Sequence, residues 1–334
     1  MPDPAQTRVL AGGAVQVSRL SLGTAALGNL YAPVTDEEST GVLRTALAAG
    51  MSYLDTAPHY GAGRAERRMG AALADVPRSA YVLSTKVGRL LHPLQAGEAR
   101  DRAGFADEPP YRRVWDFTAA GIRRSLEESL LRLGLDHVDV LYLHDPDEHE
   151  EEVYRTAYPA LAALREQGMV RAVGAGMNQA EMLTRFVVRL DLDVVLLAGR
   201  YTLLDQSGLV DLLPACAERG VPVVVGGPFN SGLLADPRPG ARYDYTAAPD
   251  HLVRRAVVLR DACARHGVPV TAAALRFPLG HPAVCSVLTG PRSVAELEAN
   301  VAAFRLEVPP ALWADLRDQG LLCADAPAPA PVES

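Results

Sequence analysis

Short apolar segments alternate along this chain with longer stretches whose apolar residues recur every three or four positions, the periodicities of strands and amphipathic helices. Eight segments qualify as strands: residues 20–23, 52–55, 81–86, 138–144, 170–174, 193–197, 222–226 and 284–288. Each is mostly apolar without clean alternation, as expected of parallel strands covered on both faces. Ahead of them, residues 9–17 predict an N-terminal β-hairpin turning at Gly12-Gly13.

Helix punctuation fills the gaps between strands. Thr35-Asp36-Glu37-Glu38 reads as a capping box, and Gly50 ends the helix that it starts. Residues 118–133, 152–167 and 209–219 have helical spacing and are followed by Gly134, Gly168 and Gly220. Eight strand-helix units in one chain predict an α/β fold, a closed (β/α)8 TIM barrel with an N-terminal β-hairpin and long βα loops. A doubly wound open sheet would carry GxGxxG after its first strand, where Leu22-Gly23-Thr24-Ala25 stands instead. Residues 88–115 and 230–250, rich in Gly, Pro and aromatic residues, are long enough to be binding loops. The reading is one domain over 1–323 and a disordered Ala-Pro tail over 324–334.

Composition narrows the partners. A chain of 334 residues that is 49% hydrophobic can bury a large core. The net charge of −7, with basic residues scattered among acids, leaves no basic stripe for nucleic acid. No apolar run is long enough to span a bilayer, and the first residues lack a basic segment followed by an apolar one. Cys216, Cys263, Cys285 and Cys323 form no CxxC or Cys/His cluster. A cytoplasmic protein with a small-molecule substrate, no metal, no nucleic-acid partner and no membrane contact is expected; a homo-oligomer is compatible with the pattern.

In a barrel, chemistry collects where strands end at the C-terminal rim. Asp55 ends the second expected strand, Tyr60 follows in its loop, Lys86 ends the third and His144 the fourth. Each has an ordinary explanation alone, but four reactive side chains at consecutive strand ends point to one site. Hydride transfer at a carbinol carbon needs a group that moves the proton on oxygen. A phenol titrates too high, near about 10, to serve as a base at neutral pH. A lysine cation about 4 Å away would favour phenolate by roughly 4 kcal/mol at an effective dielectric of about 20. Tyr60 is therefore the candidate acid-base, Lys86 its cation, Asp55 the anchor of Lys86, and His144 the donor that orients the substrate oxygen.

With these residues in place, the chain from about Arg19 to Phe304 resembles the aldo-keto reductases. The likeness rests on Tyr53-Leu54-Asp55-Thr56-Ala57-Pro58-His59-Tyr60-Gly61, Ser84-Thr85-Lys86, Leu141-Tyr142-Leu143-His144, and Gly290-Pro291-Arg292-Ser293 with Asn300. The family tetrad falls on Asp55, Tyr60, Lys86 and His144. Within the family, Tyr111-Arg112-Arg113-Val114-Trp115-Asp116, His144-Asp145-Pro146-Asp147 and Gly226-Gly227-Pro228-Phe229-Asn230-Ser231-Gly232 resemble bacterial D-threo-aldose 1-dehydrogenases, L-fucose dehydrogenases among them, and pyridoxal 4-dehydrogenases. The resemblance implies a nicotinamide cofactor held by Gly23, Thr24, Asp55, Asn178, Gly226, Phe229, Ser231, Gly290, Arg292, Ser293, Glu296 and Asn300. It implies a substrate at Tyr60, His144 and Trp115.

Three positions depart from the commoner family pattern: Gly176-Met177 replaces Ser-Asn, Ala198 replaces Gln, and Gly226 replaces the Tyr that stacks on nicotinamide. Arg292 suits a ribose 2′-phosphate, whereas Glu296 repels one and suits a free hydroxyl, favouring NAD over NADP. The expected reaction is oxidation of an aldose hemiacetal, L-fucose or D-arabinose in type, to a lactone. The alternatives are a pyridoxal 4-dehydrogenase, an NADPH-dependent aldehyde or ketone reductase, a Schiff-base aldolase using Lys86, and a non-catalytic nucleotide-binding protein. A metal-dependent hydrolase drawing on His144-Asp145-Pro146-Asp147-Glu148-His149 lacks ligands after the first strand.

Overall fold

The computed structural model describes residues 1–10, 13, 15–99 and 103–329. Strands β1 (Thr7–Leu10) and β2 (Val15–Ser18) form the N-terminal hairpin, paired antiparallel from Thr7↔Ser18 to Leu10↔Val15. Gly12 of its expected turn lies outside the described residues. The barrel consists of β3 (Leu20–Gly23), β4 (Tyr53–Asp55), β5 (Val82–Val87), β8 (Val140–His144), β9 (Ala172–Met177), β10 (Val194–Ala198), β11 (Val223–Gly226) and β14 (Val284–Thr289). They pair in parallel in that order, and β14 closes the ring on β3. The remaining strands build two hairpins on the rim: β6 (Arg89–Pro93) with β7 (Tyr111–Trp115), and β12 (Arg242–Tyr243) with β13 (Thr246–Ala247).

The helices around the barrel are α1 (Asp36–Ala48), α2 (Arg64–Leu73), α3 (Ala119–Leu133), α4 (Glu150–Glu152), α5 (Tyr158–Glu166), α6 (Ala180–Arg189), α7 (Leu212–Arg219), α8 (Asp250–Arg265), α9 (Val270–Arg276), α10 (Val294–Arg305) and α11 (Pro310–Asp318). Thr35 caps α1 as expected, its hydroxyl accepting the Glu38 N–H at 3.1 Å. Helix faces such as Val42, Leu43 and Ala46, or Leu183, Phe186 and Val187, join the outward strand residues in one continuous core. A second, smaller core fills the barrel, where Leu10, Val15 and Val17 of the hairpin meet Tyr53, Val140, Tyr142, Val194 and Val224. The hairpin thereby stoppers the N-terminal end and leaves the C-terminal rim as the open one.

Three expectations change. Strand β9 runs three residues past Gly174, because its glycines mark close packing and not a loop. A Cβ at Gly174 would lie 2.0 Å from the Val194 carbonyl and 3.1 Å from the Tyr142 ring. The helix expected over 152–167 is interrupted by a π turn at Val153–Ala157. Pro159, in the first turn of α5, has no N–H to donate back along an unbroken helix. Finally, the tail expected to be free from 324 is seated as far as 329. Ala326 is buried, and its carbonyl accepts a bond from Arg317 at 2.8 Å. Residues 330–334 lie outside the described residues.

Candidate active site

Side chains two apart on a strand share a face, and in β4, β5 and β8 that rule sends pairs into the barrel. Tyr53 and Asp55, Ser84 and Lys86, and Tyr142 and His144 occupy successive positions there. The lower members form a polar support: Tyr53 and Tyr142 share a hydrogen bond of 2.9 Å between hydroxyls, and Tyr53 donates to Ser84 Oγ at 3.0 Å. Ser84 in turn donates to Asp55 Oδ1 at 2.7 Å. Above them Lys86 Nζ spends its three donors on Asp55 Oδ2 at 2.5 Å, the Thr56 carbonyl at 3.0 Å and the Tyr60 hydroxyl at 3.0 Å. Asp55 and Lys86 are fully buried, so loss of either leaves an uncompensated charge out of water.

Tyr60 reaches this point on the tight turn after β4. Gly61 has a φ of 60°, and a Cβ there would fall 2.2 Å from the Gly28 carbonyl, so only glycine lets the turn lie against that backbone. His144 arrives at the same mouth from β8, its ring edge-on to Tyr60 with centroids 5.7 Å apart. His59 packs edge-on to both Tyr60 and His144. Thus three of the four expected catalytic residues share hydrogen bonds, and the fourth faces Tyr60 through a ring contact.

The electrostatics differ from expectation at one point. Burial, then the carboxylates of Asp55 and Asp145, push the Tyr60 phenol well above its usual range, while Arg89 opposes them. Lys86 does not dominate, because Asp55 lies against the same ammonium and returns a negative field. Tyr60 is therefore a protonated phenol in the free protein. His144 is held well below its usual pKa by burial and then by Arg89, Lys86, His59 and Arg113, and is a neutral imidazole. Asp145, immediately after it, is raised by burial and Asp147, with Arg89 and Lys86 pulling the other way.

The expected cofactor residues fall into separate groups. Gly23 and Gly290 close the β3 and β14 ends, a Cβ on Gly290 lying 3.6 Å from the Gly23 carbonyl. Thr24 is buried and donates to the Asp55 carbonyl at 2.9 Å. Arg292, Ser293 and Glu296 sit at the start of α10, and Asn300 lies midway along it. Ser293 caps that helix at Glu296 N, and Glu296 accepts the Arg292 N–H at 2.8 Å. Asn178 follows the end of β9, half-buried. Phe229 packs half-buried against the main core, and Ser231 meets the Tyr31 hydroxyl at 3.5 Å. Trp115 ends β7, stacked on Phe117 with centroids 5.7 Å apart.

The rim suits a flat ring. Gly176, one residue before the end of β9, and Ala198 and Gly226, the last residues of β10 and β11, bring three neighbouring strands to the rim with almost no side chain. A Cβ on Gly176 would already touch Leu196 at 3.5 Å and Lys86 Cε at 3.7 Å, so larger side chains would fill the space beside the tetrad. Backbone thus lines an open surface beside the tetrad.

Residues 19–319 match the family model described as the Aldo/keto reductase family. The chain belongs to that family. This aldo/keto reductase is 43% identical over 321 residues to the D-threo-aldose 1-dehydrogenase of a Pseudomonas species, covering 93% of this chain and 97% of the relative. It is 38% identical to the pyridoxal 4-dehydrogenase of Microbacterium luteolum, covering 95% of this chain and 98% of that one. Among solved structures it resembles the holo form of an aldo-keto reductase from Bacillus halodurans, with a TM-score of 0.73, 26% identity, and coverage of 96% and 97%. As a member of the family it is an oxidoreductase that uses a nicotinamide cofactor.

The sequence reading missed Ser84, Tyr53 and Tyr142 beneath the tetrad, although each stands two residues before a member of it. It also missed Glu38 of α1, which accepts the Val294 N–H at the start of α10 at 2.7 Å. No spacing in the sequence joins residues 256 positions apart.

Proposed function

We propose that this aldo/keto reductase oxidises an aldose at its hemiacetal carbon to a lactone. The observation that carries the reading is the Tyr60 hydroxyl held 3.0 Å from the Lys86 ammonium at the open rim, beside a neutral His144. The 43% relative, a D-threo-aldose 1-dehydrogenase, supplies the substrate type.

In this reading Asp55 fixes Lys86, and Lys86 fixes the Tyr60 hydroxyl. His144, neutral, donates a hydrogen bond to the substrate oxygen and orients it. An oxidised nicotinamide, when bound, supplies the acceptor for the hydride leaving the hemiacetal carbon. In the fraction of molecules whose Tyr60 has first lost its own proton to solvent, the substrate hydroxyl proton passes to the Tyr60 phenolate oxygen as the carbon-oxygen double bond of the lactone forms, so charge and atoms balance.

NAD is the proposed cofactor. Two carboxylates, Glu38 and Glu296, hold backbone amides at the start of α10, where they disfavour a second phosphate and can accept from a ribose hydroxyl. A second reading, oxidation of pyridoxal in its cyclic hemiacetal form, is supported by the 38% relative and calls for the same proton transfer.

An absorbance assay of nicotinamide reduction, with NAD and NADP against L-fucose, D-arabinose and pyridoxal, separates these readings. We expect turnover of the aldoses with NAD. Tyr60→Phe should lower kcat by about 10²- to 10⁴-fold while NAD binding, read by fluorescence titration, stays within a few-fold. A Tyr60→Phe variant at wild-type rate would rule the proposed acid-base out.

A further inference from the structure

Next to the tetrad stands a charged pair that the proton transfer does not use. Asp145 follows His144 directly and holds a left-handed backbone, with φ of 41°, unusual for a residue with a side chain. Its N–H donates to the Gly176 carbonyl at 3.0 Å, which ties the turn to the end of β9. Arg89, the first residue of the β6–β7 hairpin, donates to Asp145 Oδ2 at 2.6 Å. The hairpin register sets Arg89 opposite Trp115, and its guanidinium lies over that ring at 4.1 Å. Backbone strain of this kind, maintained beside a reaction centre, calls for a functional reason.

Three details say what the pair is for. First, the contacts of the Asp145 carboxylate are both made through Oδ2, to Arg89 and to His144 Nε2 at 3.5 Å. Oδ1 has no hydrogen bond among the described residues, and the side chain as a whole is 35% exposed. Second, two buried nitrogens of this wall, Arg89 Nε and His59 Nδ1, have no partner among the described residues. Buried polar atoms are normally satisfied, so a polar group brought against these two nitrogens would be favoured. Third, the Asp145 carboxylate opposes ionisation of Tyr60, so it does not serve the base.

The geometry points to Asp145, held by Arg89, as the residue that reads the ring hydroxyls next to the reacting carbon, so that this mouth selects polyhydroxylated hemiacetals over plain ones. The inference rests on the dehydrogenase reading above. The unbonded Asp145 Oδ1 acceptor and the unpartnered Arg89 Nε donor suit a sugar, whose edge is a row of hydroxyls. Pyridoxal, with one phenolic hydroxyl, makes fewer of these contacts.

The probe pair is L-fucose and 2-hydroxytetrahydropyran, the same six-membered hemiacetal without further hydroxyls. The readout is the ratio of their kcat/KM values at saturating NAD, for wild type, Asp145→Asn and Asp145→Gly. Both substitutions tolerate the left-handed backbone. Because both rates come from one preparation, any unfolded fraction cancels in the ratio. We expect the ratio to fall about tenfold in Asp145→Asn and further in Asp145→Gly, the size of a hydrogen bond to a charged group. The affinity for L-fucono-1,5-lactone should fall in parallel relative to δ-valerolactone. If wild type oxidises L-fucose and the ratios do not move, Asp145 acts only through His144 and the inference fails alone. If wild type oxidises neither L-fucose nor D-arabinose, the aldose reading fails and the inference with it.

Discussion

Tyr60 sits between two opposing fields, the Lys86 ammonium at 3.0 Å and the carboxylates of Asp55 and Asp145. With burial added, the phenol is held protonated, which suits proton donation and leaves oxidation short of base. Below a raised pKa, the deprotonated fraction grows about tenfold for each pH step. The rate of oxidation should therefore climb with a logarithmic slope of about one between about pH 6 and 9, while carbonyl reduction stays flat over the same range. His144, depressed below its usual range, stays neutral there and adds no second inflection. A pH-independent oxidation rate would show that the proton goes to a group other than an uncharged phenol. Asp55, Lys86 and His144 were legible because reactive side chains at strand ends are rare. Ser84 was not, since a serine becomes a support only when the β4–β5 register sets it opposite Asp55. The φ of Asp145 leaves no mark in the sequence either.

Among elements, α10 and the β6–β7 hairpin carry the parts that sequence read least well. Residues 88–115 were recognisable as a long loop, but their pairing depends on a cross-strand match of Arg89 with Trp115 that no periodicity announces. The start of α10 has Ser293 as its own cap and borrows Glu38 from α1. If those carboxylates favour NAD, Glu38→Gln combined with Glu296→Gln should raise kcat/KM with NADP relative to NAD by about three- to tenfold. Glutamine keeps an acceptor for each amide, so the helix should hold. An unchanged ratio of cofactors, measured by the same absorbance assay, would place the discrimination elsewhere.

For the molecule as a whole, eight strand-helix periods were enough to predict a barrel, and the order of strands follows the order of the chain. Its lower end is less forgiving than its rim. Val17 is fully buried in the interior cluster that the hairpin completes. Val17→Asp should cost roughly 3 kcal/mol or more through an unpaired carboxylate, seen as a lower urea midpoint. Turnover per folded molecule should survive, because the substitution lies at the opposite end from Tyr60.

Closure of the ring also has a consequence for synthesis. Strand β3 ends at residue 23, and its second neighbour β14 begins at residue 284. A growing chain on the ribosome thus holds an open sheet with two unpaired edges until nearly all of it has emerged. Such edges invite pairing with other nascent chains, so yield in cells should depend on chaperone supply more than the finished barrel's compactness suggests.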